Sequence, residues 1–218
     1  MNLQSYINND ILPLLTNYPV RMVEGMFADC TFTHFPVVED HKLLGNISEE
    51  DLEGFETDKK ISDYMYMLDV FFVKKNTSWL DVLEAFARNN ANVMPVLDED
   101  DNYLGYYELI DVIGLFKETP FLNEPGGILI VEKGTQDYTF SEISQIVESN
   151  DGKLLGAFVS DAQEDLTQIT LKVGNVGLNN ILQTFRRYGY NIVSGNEDDS
   201  YVESLKRRSE YLSRYLNI

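Results

Sequence analysis

One segment occurs twice in this chain. Phe35-Pro36-Val37-Val38, followed by Gly45-Asn46-Ile47-Ser48-Glu49-Glu50-Asp51, returns as Met94-Pro95-Val96-Leu97, followed by Gly105-Tyr106-Tyr107-Glu108-Leu109-Ile110-Asp111. Each copy reads as helix, buried strand, acidic turn, strand, glycine and helix. Such a unit is too small to bury its own apolar face, so the two copies are expected to pack on each other and leave a cleft between them. The lead-in counts as part of the repeat, because Asp10-Ile11-Leu12 echoes Asp63-Tyr64-Met65. In copy one, Arg21 to Phe27 is expected to be a helix with Met22, Val23, Met26 and Phe27 inward and Pro19 near its first turn. In copy two, Phe71 to Val73 suit a short strand. Thr77-Ser78 then cap a helix whose Trp79, Val82, Leu83 and Phe86 recur at helical spacing. Glu53 to Lys60, charged and nearly free of large apolar residues, reads as the linker.

These motifs resemble the cystathionine β-synthase (CBS) domain, whose units carry an apolar-Pro-Val strand and a Gly-x-apolar-[Ser/Thr]-x-x-[Asp/Asn] strand-to-helix turn. Copy one matches through Pro36, Gly45, Ser48 and Asp51. Copy two matches through Pro95, Gly105 and Asp111, with Glu108 where the family has a hydroxyl. The resemblance implies a paired regulatory module that binds an adenine nucleotide (AMP, ADP or ATP) or an adenosyl ligand, with Asp on the ribose hydroxyls and Ser or Thr on phosphate. The ligand-binding residues it implies are Ser48, Asp51, Asp111, Pro36, Pro95, Gly45 and Gly105.

Composition narrows the partners. The 218 residues carry a net charge of −19, which argues against nucleic acid and anionic membranes, since both are captured by clustered Lys and Arg. Up to residue 117 there are eight Lys plus Arg against twenty-one Asp plus Glu, so a triphosphate fits less well than a monophosphate or nucleoside. Glu108 would repel phosphate at the second site, so a single working site should be that of Ser48. Both residues also have a plain structural use, Ser48 as a helix N-cap and Asp51 as a first-turn carboxylate. The lone Cys30, the absence of a basic-then-apolar leader and the absence of a long apolar run point to a cytoplasmic protein.

After Lys117 the periodicity changes, and Pro120 to Gly127 supplies the Pro and Gly of a domain boundary. Ile128 to Val131 reads as a strand. Thr139 with Glu142 reads as a capping box before a helix carrying Phe140, Ile143, Ile146 and Val147. Leu154 to Val159 is a strand, and residues 167 to 173 alternate with Ile169, Leu171 and Val173 on one face. Leu178, Ile181, Leu182 and Phe185 form a helix stripe ended at Gly189, and Ile192 and Val193 a last strand. The order βαββαβ is that of a ferredoxin-like unit and resembles the ACT domain. The whole arrangement resembles acetoin-utilisation-type CBS–ACT proteins. Amino-acid-binding ACT units have a Pro-Gly turn before the first helix; Asp137-Tyr138 stands there, so the unit is expected to serve as a dimerisation surface. The expected fold class is α+β: CBS unit 1 over 1–60, CBS unit 2 over 61–119, an ACT-like domain over 126–196, and a basic amphipathic helix over 200–218.

Other chemistry is thinly represented. The acidic run Asp98 to Asn102 alternates oxygen ligands, but Tyr103 replaces the glycine and Leu109 the bidentate Glu of a calcium loop, so a solvated hairpin turn is expected. Cys30, His34 and His41 lack paired zinc spacing, and no nucleophile elbow or P-loop is present. The chain therefore reads as a non-enzymatic regulatory module without a resident cofactor, forming a homodimer and acting on an effector protein. The alternative is an interaction scaffold with no small-molecule ligand.

Overall fold

Two extended hairpins, one per repeat, organise the first half of the chain. The computed structural model describes residues 3–174 and 177–195, and the chain divides after Phe116 into two units. In the first unit, α1 (Val20–Ala28) is followed by β1 (His34–Glu39), β2 (Lys42–Ser48) and the short α2 (Glu49–Leu52). The second copy repeats this as α3 (Trp79–Arg88), β4 (Val93–Leu97), β5 (Tyr103–Glu108) and α4 (Leu109–Lys117), preceded by a brief β3 (Val73–Lys74). The first hairpin turns at Asp40 and His41, both at positive φ, as a two-residue turn between twisted strands demands. The hairpins match in their irregularities: register slips after Val37 in one and after Val96 in the other, and those residues face Gly45 and Gly105.

The lead-in segments explain both glycines. The N-terminal segment pairs first with the second hairpin, Asn8 against Tyr106, and only then with its own, Leu14 against Val37. The segment before copy two mirrors it: Asp69 pairs with Asn46 on the first hairpin before β3 joins β4. A Cβ on Gly45 would lie 2.7 Å from Leu68 Cβ, and one on Gly105 would lie 2.4 Å from Asn8 O. Each glycine is thus the floor on which a crossing strand rests. The cores are exchanged accordingly. Leu3 and Ile7 pack with Val82, Phe86, Met94 and Tyr107 of copy two, whereas Ile61, Tyr64 and Leu68 pack with Val23, Phe35 and Ile47 of copy one.

Three expectations are corrected here. The crossings make Asp69, not Asp63, the counterpart of the first lead-in, so the echo of Asp10 in Asp63 is a coincidence of composition. Met22 is exposed: Val20, Val23 and Phe27 already form the inward stripe of α1, and Met22 lies one residue out of phase with it. The stretch from Glu53 to Lys60 is anchored, because Phe55 is buried and stacks on Tyr64 with ring centroids 3.9 Å apart.

The second unit begins with α5 (Pro120–Asn123), a short helix inside the expected boundary segment. It continues β6 (Gly126–Gly134), α6 (Phe140–Glu148), β7 (Lys153–Ala162), β8 (Leu166–Gly174), α7 (Asn179–Arg187) and β9 (Asn191–Ser194). The sheet order is β7-β8-β6-β9 with every pair antiparallel. Ile143, Ile146 and Val147 of α6 and Ile181, Leu182 and Phe185 of α7 pack onto Leu129, Val131, Ile169, Leu171 and Val173 of the sheet. Phe140, expected in that stripe, is exposed at the first position of α6 and meets Tyr138 edge-on instead. Thr139 caps Glu142 N, but the Glu142 carboxylate goes to Lys133 at 2.7 Å, so the reciprocal half of the capping box is not made. The expected helix over 200–218 lies outside the described residues.

Candidate functional site

The turn from β2 into α2 puts Ser48 and Asp51 at the mouth of the inter-repeat cleft. Ser48 is the N-cap of α2: its hydroxyl accepts from Asp51 N at 3.1 Å and donates to Asp51 Oδ2 at 2.7 Å, while Ser48 N donates to the same oxygen at 2.9 Å. This is a closed capping box with Asp at the third helical position. It leaves Asp51 Oδ1 as the oxygen with no hydrogen bond among the described residues.

A cavity of about 390 Å³ opens beside this cap. Copy one contributes Thr33, His34, Ser48, Glu49, Glu50 and Asp51 to its walls; copy two contributes Asp69, Asn89 and Asn90. His34 is almost fully buried, and its ring stands edge-on to Phe71 at 5.1 Å. Burial holds its imidazole below the usual 6.5 against the opposing pull of Asp69, Asp51 and Glu50, so it is neutral at pH 7. The copies are clasped at this level by Thr33 and Asn92. Thr33 N and Oγ1 reach Asn92 Oδ1 at 2.8 and 3.0 Å, and Asn92 Nδ2 donates to Thr31 O at 2.6 Å.

The corresponding turn of copy two is arranged differently. Asp111 and Glu108 are both engaged by the N-terminal segment: Asn8 Nδ2 lies 3.2 Å from Asp111 Oδ2 and 3.3 Å from Glu108 Oε1. The same Asn8 is fixed by two backbone bonds to Tyr106, at 2.8 and 3.0 Å. The repeats thus share one fold, but one acidic turn faces a cavity and the other faces an asparagine.

Residues 61–118 match the CBS domain. Among curated proteins, the chain is similar to an uncharacterised protein of Methanocaldococcus jannaschii, 25% identical over 114 residues, which is 52% of this chain and 43% of that protein. It is also similar to the inosine-5'-monophosphate dehydrogenase of Thermoplasma acidophilum, 24% identical over 110 residues, 50% of this chain and 22% of the enzyme. The chain therefore spans less than half the length of these curated relatives. Among solved structures it is similar to a CBS domain pair/ACT domain protein from Thermotoga maritima, with 19% identity and a TM-score of 0.49, covering 54% of this chain and 98% of that one.

Of the residues that the CBS resemblance implied, Ser48 and Asp51 line the cavity. Gly45 and Gly105 serve the crossing strands instead, and Pro36 and Pro95 are buried in β1 and β4, opposite Asn46 and Tyr106. Pro95 lies just before β3 joins β4 at Val96, where a missing amide costs no ladder bond. Asp111 is held by Asn8. Sequence reasoning missed His34 and Asp69 as wall residues, and Asn8 and the Thr33–Asn92 clasp altogether. Aligning the repeats places Thr33 and Asn92 at equivalent positions ahead of the apolar-Pro strands, a signal that was available. In the Asp98 turn, Asp98 Oδ1 accepts from Asp100 N and Asn102 N, and lysines tie the turn down from outside: Lys74 Nζ donates to Asp98 O and pairs with Asp101, and Lys42 of copy one donates to Asp100 O. Among the described residues, no three His, Cys, Asp or Glu side chains converge as metal ligands, and no helix is long and apolar enough to cross a membrane.

Proposed function

We propose that the chain is a regulatory module in which a CBS pair, residues 1–60 and 61–119, binds an adenine nucleotide or adenosyl ligand in the Ser48–Asp51 cleft. The second unit, read as a ferredoxin-like, ACT-like domain over 126–196, holds two chains together as a cytoplasmic homodimer. The observation that carries the reading is the cavity itself: it draws its walls from both repeats, so a ligand within it contacts both and biases how they sit. Asp51 Oδ1 is the oxygen that would take the ribose hydroxyls. The module does no chemistry of its own; its output is a change of arrangement passed to an effector protein.

One ligand per chain is expected, because Asn8 already hydrogen-bonds both Asp111 and Glu108 at the second turn. Asn8 also favours the second reading, a scaffold that keeps the fold for packing alone, since it engages the carboxylates of Asp111 and Glu108 from within the chain. A thermal-shift screen separates the two. A ligand binding only the folded state at about a hundred times its Kd adds about 2.7 kcal/mol of stability. A shift with an adenine compound that is lost in Asp51→Ala supports the sensor; no shift with AMP, ADP, ATP, adenosine or S-adenosylmethionine supports the scaffold.

A further inference from the structure

The helices of the second unit cover one face of its sheet. Both pack on the side of Leu129, Val131, Ile169 and Leu171. Alternate residues of the same strands point the other way, and their large apolar members are open to solvent: Ile128 is 49% exposed, Phe158 48% and Leu166 44%. At one end of this open face Phe121 of α5 rests on Gly156, where a Cβ would lie 2.5 Å from its ring, and the Phe121 and Phe158 centroids are 5.9 Å apart. Farther along, Asp161, Gln168 and Glu132 stand in one row across β7, β8 and β6. Glu132 accepts from Gln168 Nε2 and Asn191 Nδ2 at 3.0 and 3.3 Å, and Asp161 accepts from Gln163 Nε2 at 3.2 Å. Among the described residues neither carboxylate pairs with a Lys or Arg. An antiparallel sheet leaves a polar face to water, whereas an apolar centre with an acidic rim calls for a cover of matching charge.

The sequence beyond β9 fits that face. β9 runs beside β6 with Ser194 opposite Ile130, so the chain leaves the sheet at Gly195 level with the apolar row and headed for its Gly126 end. Residues 200–218, which lie outside the described residues, would place Val202, Leu205, Ser209, Leu212 and Leu216 on one side of a helix, with Lys206 and Arg208 on its two flanks. As a helix these nineteen residues extend about 28 Å, against about 30 Å for the nine residues of β6. The five residues from Gly195 to Asp199 reach about 17 Å, enough to turn back over the sheet. The two cations flank the stripe as Glu132 and Asp161 flank β8, two strand spacings or about 10 Å apart.

We propose that residues 200–218 form a helix lying along the open face of their own chain's sheet. Val202, Leu205, Leu212 and Leu216 cover Ile128, Ile130 and Phe158, and Lys206 and Arg208 meet Glu132 and Asp161. The second unit then has three layers, and a second chain must use another of its surfaces.

The test is a spin label on the full chain, carried at Glu210→Cys on the side away from the stripe, with Cys30→Ser removing the one native thiol. Amide resonances of Ile130, Glu132, Gln168 and Thr170 should lose most of their intensity, while those of α6 and α7, behind the sheet, keep theirs. Adding Leu205→Glu with Leu212→Glu, which alters no residue of the described core, should restore the lost signals. Undiminished sheet signals, or losses that survive the double Glu variant, overturn the proposal. A mixture of isotope-enriched chains without label and spin-labelled chains without enrichment should show no loss; loss in that mixture assigns the segment to a second copy and overturns it as well.

Discussion

Replacing Gly105 with alanine probes the strand crossing on which the first unit is built. The new Cβ would lie 2.4 Å from Asn8 O and 2.5 Å from Asn9 Oδ1, contacts that require the N-terminal segment to move. Moving it breaks the two backbone bonds between Asn8 and Tyr106, worth about 1 kcal/mol each. Gly105 also has φ +145°, where a side chain adds about 1–3 kcal/mol of strain. The expected loss is about 3–5 kcal/mol, read as a lower midpoint in urea at unchanged slope. Gly25→Ala is the internal control, since it lies within α1 with nothing within 4 Å of the new Cβ and should stabilise by about 0.5–1 kcal/mol. Limited proteolysis gives a second readout: the Gly105→Ala protein should be cut early within residues 3–9. A loss below about 1 kcal/mol with no change in cutting would refute the account of the crossing.

Asn92→Ala removes the acceptor of two Thr33 bonds and the donor to Thr31, and should cost about 1–2 kcal/mol in denaturant unfolding. Because burial lowers the His34 pKa, the unfolded chain takes up the proton first. Stability present above about pH 6.5 should therefore be lost as pH falls toward the depressed folded value, and His34→Gln should flatten that part of a stability–pH profile. Lys133 pairs with Glu142 at 2.7 Å and stands 4.4 Å from the centre of the Tyr190 ring, so Lys133→Met should cost about 1–2 kcal/mol near neutral pH. That cost should shrink in acid as the Glu142 carboxylate, held low by Lys133, is protonated.

The repeat and its element order were legible in the sequence because they rest on local signals. Apolar-Pro strands, a Ser48 cap and the Ile143–Ile146–Val147 stripe each speak within a few residues. The second unit's element order could be read for the same reason. The lead-in exchange could not, since Asn8 against Tyr106 is a pairing between remote stretches with no composition of its own. The linker reading failed at Phe55, where one aromatic among charged residues was enough to anchor the stretch. The cleft was half legible: Ser48 and Asp51 were chosen from their motif, but Asp69, Asn89 and Asn90 come from the other repeat and meet them only through the fold.

The exchanged lead-ins also dictate an order of events during synthesis. Copy one lacks part of its core until Ile61 and Tyr64 have been made, so the stretch up to residue 60 has no complete interior of its own to fold around. Leu3 waits longer, because the residues that bury it, Phe86, Met94 and Tyr107 among them, are translated almost last in this unit. Leu3 and Ile7 are therefore among the last residues of this unit to be seated, and the two repeats should reach the native state in a single late step instead of one after the other.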